Sequence, residues 1–145
     1  MGALAGRLRW LGVAGGSNDP ARVLGNAAFN PISALTRATL VKMAQDRDVR
    51  ALVTEIMTEV SAVATRLGIT LPVSIEQRIA GAEAVGEHKT SMLQDLELGR
   101  PMELDCIAGA LVELGAKLEI PMPNLRAVYA LTKLLGETAQ AAKAS

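Results

Sequence analysis

An all-α domain is the fold this sequence predicts, on three observations. Apolar residues recur at spacings of three and four, no stretch alternates as a half-buried strand would, and the apolar content is aliphatic. Half of the 145 residues are hydrophobic, yet the aromatics are limited to Trp10, Phe29 and Tyr129. Packing must therefore run through Ala, Leu, Val, Ile and Met side chains, as in helices packed on helices. A chain of this length makes one domain whose core needs no disulfides.

Residues 1–19 stand apart. Gly2, Gly6, Gly12, Gly15 and Gly16 disfavour a stable helix, so poor order is expected there, with the structured domain spanning 20–145. Ser17-Asn18-Asp19-Pro20 reads as a turn, with Asp19 capping a helix and Pro20 in its first position. From Ala21 the face Val23, Leu24, Ala27, Ala28, Phe29 is helical, and Asn30-Pro31 is expected to perturb or end that first stretch. Ile32, Leu35 and Leu40 carry the pattern onward. Asp46 caps the longest segment, Arg47–Leu67, and Gly68 sits where a left-handed terminator belongs. Ser74 with Gln77 spells a capping box for a helix running toward Glu87. Thr90–Gly99 reads as a polar loop ending in a Gly-Arg-Pro break, followed by a helix over Glu103–Leu118. Pro121 and Pro123 make a rigid turn before a last helix from about Asn124 into an Ala-rich tail. The total is about six helices, with no repeat and no linker dividing the chain.

Composition excludes several functions. Lysine plus arginine, 15 residues, balances 15 acidic ones, and aromatic platforms are scarce, so nucleic acid is not an expected partner. Cys106 has no second cysteine, and His88 is the single histidine, so no metal cluster is expected and a reducing cytoplasm is the simplest compartment. No apolar run reaches a membrane span, and Arg7 and Arg9 interrupt what would be a signal-peptide core. Gly12–Gly16 lacks a preceding strand, and so fails as a nucleotide fingerprint.

Candidate chemistry lies in two places. Asn26 and Asn30, four apart, share one helix face; they either bond backbone and solvent or offer paired amides to a small polar ligand. Glu103 and Asp105 fall at a helix start, where carboxylates complement the dipole; catalytic use would require burial against Met92, Met102 or Leu104. Ser91 has no histidine base and is a turn hydroxyl or a hydrogen-bond donor to a ligand. Cys106 and Gly109 read as packing residues, Gly109 permitting a close helix crossing.

Together these motifs resemble the C-terminal domain of the ketopantoate reductase (2-dehydropantoate 2-reductase) family. The resemblance rests on Asn26-Ala27-Ala28-Phe29-Asn30-Pro31-Ile32-Ser33-Ala34-Leu35 and Thr90-Ser91-Met92-Leu93-Gln94-Asp95. Gly99-Arg100-Pro101-Met102-Glu103-Leu104-Asp105, Gly109 and the Ile120–Pro123 turn complete it, from about Arg22 to Leu135. It implies a helical domain of the 6-phosphogluconate dehydrogenase C-terminal type, packed on a Rossmann domain that binds NADPH and reduces a 2-keto acid. It also implies substrate-binding roles for Asn26, Asn30 and Ser91, and an active-site role for Glu103. Two departures accompany it. Arg22 stands where the family has its general-acid lysine, and arginine, ionised at any ordinary pH, is a poor proton donor. Residues 1–20 do not resemble the end of a Rossmann domain. The expectation is therefore a domain inactive alone, from a truncated frame, an alternative start or an excised domain, unless a separate polypeptide supplies the Rossmann half. The alternative is a stand-alone helical protein that self-associates, a homo-oligomer, without catalysis.

Overall fold

A computed structural model describes residues 20–144, so the expectations for residues 1–19, including the Asp19 cap, lie outside the described residues. Seven α-helices and one π-helical turn are described, with no β-strand among these residues. They are α1 (Pro20–Thr36), α2 (Leu40–Gln45), α3 (Arg47–Arg66), α4 (Ile75–Val85), α5 (Ser91–Glu97), the π turn (Asp105–Gly109), α6 (Ala110–Lys117) and α7 (Pro123–Ala144).

The central element is α1, which packs against α3, α5, α7 and the π turn. Leu24, Ala27, Ala28 and Phe29 are all but inaccessible, and the small Ala27 and Ala28 let neighbouring helices approach closely. Pro31 does not end this helix; the chain stays helical through it to Thr36. The side chain of Pro31 is buried, and Ser33 Oγ donates to the Asn30 carbonyl at 2.7 Å, so the surrounding packing holds the turn that the missing proline N–H weakens.

Local signals of α3 and α4 act as their residues dictate. Asp46 accepts from Asp48 N and Val49 N, and Ser74 and Gln77 exchange both bonds of the capping box. At the end of α3, Gly68 takes φ +75°, its N–H bonds Thr65 O, and Ile69 N bonds Ala64 O, which is a Schellman terminator. The same pair of bonds recurs after α6, from Glu119 N to Ala116 O and from Ile120 N to Gly115 O. There the left-handed residue is Glu119, at φ +58°. Glycine meets no Cβ penalty in that region, so Glu119→Gly is expected to raise unfolding stability by about 0.5–1 kcal/mol in a denaturant titration.

Two segments differ from the sequence expectation. Thr90–Gly99 is not a loop but holds α5, because Thr90 Oγ1 accepts from Leu93 N and buries Met92, Leu93 and Leu96 beneath it. The expected helix from Glu103 begins instead at Asp105, in a widened turn: Gly109 N bonds Leu104 O and Ala110 N bonds Asp105 O, each five residues back. Gly109 gives this turn its room. A Cβ there would lie 3.1 Å from the Tyr129 ring and 2.9 Å from Asp105 Oδ1.

The Ala-rich tail is helical, as α7. Its start is held from α3: Glu59 Oε2 accepts from Asn124 N at 3.0 Å and Asn124 Nδ2 at 2.8 Å, while Oε1 accepts from Leu125 N at 2.9 Å. Two orphan N–H groups of the first turn are thereby satisfied by a negative charge at the positive end of the helix. No helix among the described residues is long and apolar enough to cross a membrane.

Candidate functional site

Where α1, α5 and the start of the π turn meet, a cleft of about 150 Å³ is lined by Asn26, Asn30, Ser91, Asp95, Glu103 and Ile107, with Met92 alongside. Asn26 and Asn30 are on α1, one turn apart, and both are half-buried. Ser91, exposed, opens α5, and Glu103, also exposed, lies just ahead of the π turn. Four of the side chains singled out in the sequence thus come together from three segments. Arg22 does not join them: it is exposed on α1, one turn before Asn26, and does not line the cleft.

A chain of hydroxyls sets the spacing of these walls. Ser33 Oγ donates to Asn30 O and lies 2.5 Å from Thr90 Oγ1, which in turn accepts from Leu93 N. Each hydroxyl has one proton, so Thr90 donates to Ser33 and Ser33 to Asn30. Both side chains are buried, Ser33 completely. The α1 turn carrying Asn30 is in this way tied to the cap that precedes Ser91. Thr90→Val keeps the shape but removes the cap and leaves Ser33 without its donor. The expected loss is about 2 kcal/mol of unfolding free energy, read by chemical denaturation.

Asp105 is turned elsewhere. It accepts from Tyr129 Oη at 2.5 Å. That bond, with some burial and the nearby charges of Asp105 and Glu137, pushes the Tyr129 hydroxyl up to about 12. A raised tyrosine favours its protonated form when folded, so this contribution is complete below the unfolded value near 10 and fades as pH climbs toward 12. Asp105 faces a separate groove of about 290 Å³ between Pro101–Leu104 and α7. Cys106 is half-buried with a free thiol, His88 is exposed, and Leu40 packs against the core rather than lining the cleft. Among the described residues no group of three or more His, Cys, Asp or Glu could hold a metal ion.

The family model described as "Ketopantoate reductase PanE/ApbA C terminal" matches residues 21–136. This chain belongs to the ketopantoate reductase family. The 2-dehydropantoate 2-reductase of Mesorhizobium japonicum is 49% identical over 114 residues, and that of Archaeoglobus fulgidus 33% over 100 residues. These matches cover 79% and 69% of this chain but only 35% and 34% of the relatives, so the chain spans about a third of their length. Among solved structures, a ketopantoate reductase from Ralstonia eutropha superposes with a TM-score of 0.78 at 32% identity, covering 83% of this chain and 41% of the other. The 2-dehydropantoate 2-reductase of Methylococcus capsulatus gives 0.76 at 37%, covering 83% and 42%.

Seen as a ketopantoate reductase C-terminal domain, the chain also shows what sequence reasoning missed. Asp95 lines the cleft, and its carboxylate lies 3.9 Å from the Arg100 guanidinium. Its place on α5, one turn after Ser91, would have exposed it had α5 been recognised as helical. Ser33 and Thr90 were hidden for another reason, since a buried hydroxyl pair 57 residues apart leaves no periodic signal.

Proposed function

We propose that this ketopantoate reductase domain holds the substrate in an NADPH-dependent reduction of 2-dehydropantoate, or a closely related 2-keto acid, to the 2-hydroxy acid in the cytoplasm. The observation that carries the reading is the cleft shared by Asn26, Asn30, Ser91 and Glu103. A 2-keto acid presents carbonyl, carboxylate and hydroxyl oxygens, and two amides with one hydroxyl supply donors for them. Glu103 adds a group able to exchange a proton with an oxygen that passes from carbonyl to hydroxyl. Arg22, exposed on α1 one turn before Asn26, carries a charge that attracts a carboxylate but is ill suited to give up a proton.

The described residues do not themselves fit NADPH. They contain no strand and no strand–turn–helix unit whose backbone could cradle a pyrophosphate. The nucleotide is assigned to a Rossmann half that packs beside the cleft, on the same or another polypeptide.

The test is a titration of 2-dehydropantoate and pantoate into the isotopically labelled chain, followed by amide shifts. Saturable shifts centred on Asn26, Asn30 and Ser91 are expected, with about tenfold weaker binding in Asn30→Ala, the worth of one well-placed hydrogen bond. Shifts spread over the surface, or none at millimolar ligand, would sink the assignment. The 145-residue chain alone is expected to leave NADPH unoxidised in the presence of 2-dehydropantoate.

A further inference from the structure

Glu103 reaches the cleft without a bond of its own. Among the described residues its side chain makes no hydrogen bond or ion pair, and no backbone hydrogen bond involves residues 101–103. Its place is therefore set by the path of the strap Arg100–Leu104, which joins α5 to the π turn. Such a strap keeps one path only if both ends are fixed, because unbonded residues otherwise retain their backbone freedom. Leu104 fixes the far end by burial, at 6% exposure.

The near end is fixed from the last turns of α7. Gly99, at φ +73°, closes α5: its N–H bonds Leu96 O, and Arg100 N bonds Asp95 O. The Gly99 carbonyl then accepts from Lys143 Nζ at 2.9 Å and from Gln140 Nε2 at 3.3 Å. One turn back along α7, Met102 of the strap packs on Gly136, where a Cβ would come 3.2 Å from its Cε. Gly136, Gln140 and Lys143 are spaced by four and three, so one face of α7 meets the strap. Gln140 and Lys143 lie beyond residue 136, where the family match ends.

We infer that Gln140 and Lys143 are positioning residues for Glu103: by holding the Gly99 carbonyl they fix where the strap starts, and so present the carboxylate to the cleft. The inference rests on the reading of that cleft as the substrate site. The ammonium makes the Lys143 bond charge-assisted and the stronger of the two. A mere cap on α5 would add stability and leave Glu103 as it is.

Relaxation measurements on the isotopically labelled full chain separate these roles. Gln140→Leu with Lys143→Met removes both donors. The backbone order parameter of Glu103 is expected to fall from about 0.85 to below about 0.6, and its carboxyl carbon signal to shift. The values at Asn26 and Asn30 should stay unchanged. Gln140→Leu with Lys143→Arg should restore Glu103, since arginine donates to the same carbonyl. The two single variants give a second reading should circular dichroism show that the double variant has not folded. Pantoate-induced shifts at Glu103 should vanish in the double variant and persist at Asn26 and Asn30. Glu103 unmoved in the double variant, already mobile in the unsubstituted chain, or not restored by arginine overturns the inference. An unsubstituted chain that binds no pantoate overturns the substrate reading instead, and the order parameter still decides the positioning.

Discussion

Replacing Glu103 by glutamine is expected to lower kcat by about 10²–10⁴-fold, with little change in KM, once the domain is joined to a nucleotide-binding domain of the family. Glutamine keeps the size of the side chain and its hydrogen-bonding reach, so the 150 Å³ cleft retains its shape and its other polar walls. What disappears is proton exchange. The contrast with Asn30→Ala is diagnostic, because loss of an amide that holds substrate raises KM, whereas loss of a protic group lowers kcat. Equal losses for both variants would mean that Glu103 only shapes the cleft. Steady-state rates at saturating nucleotide decide the matter.

Glu59→Ala is expected to cost about 2 kcal/mol of unfolding free energy and to lower Tm by roughly 6 °C, although the residue is remote from the cleft. Its carboxylate takes three hydrogen bonds from Asn124 and Leu125 at the start of α7. Alanine leaves those donors to partial solvation and removes a negative charge from the positive end of a 22-residue helix. Glu59→Gln retains one acceptor and should lose about half as much. An unchanged denaturation midpoint in Glu59→Ala would show that the first turn of α7 finds equivalent bonds in water.

Elements defined by local rules were readable in advance. Asp46, the Ser74–Gln77 box and Gly68 each act within a few residues of themselves, and their signals survive folding intact. The same holds for Asn26 and Asn30, whose shared face follows from helical geometry alone. Features that depend on distant partners were not readable. Pro31 suggests a helix end unless the burial of α1 on its neighbours is known, and α5 looks like a loop until Thr90 is seen capping it. The Glu59 cap joins residues 65 apart, and Arg22, four residues before Asn26 on α1, does not line the cleft.

The widened turn at Asp105–Gly109 has a consequence for how the chain tolerates insertion and deletion. A π turn is an α-helix that has absorbed one additional residue. Deleting one residue from this turn is expected to restore ordinary winding while the segments on either side keep close to their present facing, whereas the same deletion within α6, which has no residue to spare, would turn its flanks against each other by about 100°. The turn is therefore the place where this helix can lose a residue and still present Glu103 to the cleft, and what would be given up is the room beside Tyr129 and Asp105 that Gly109 provides.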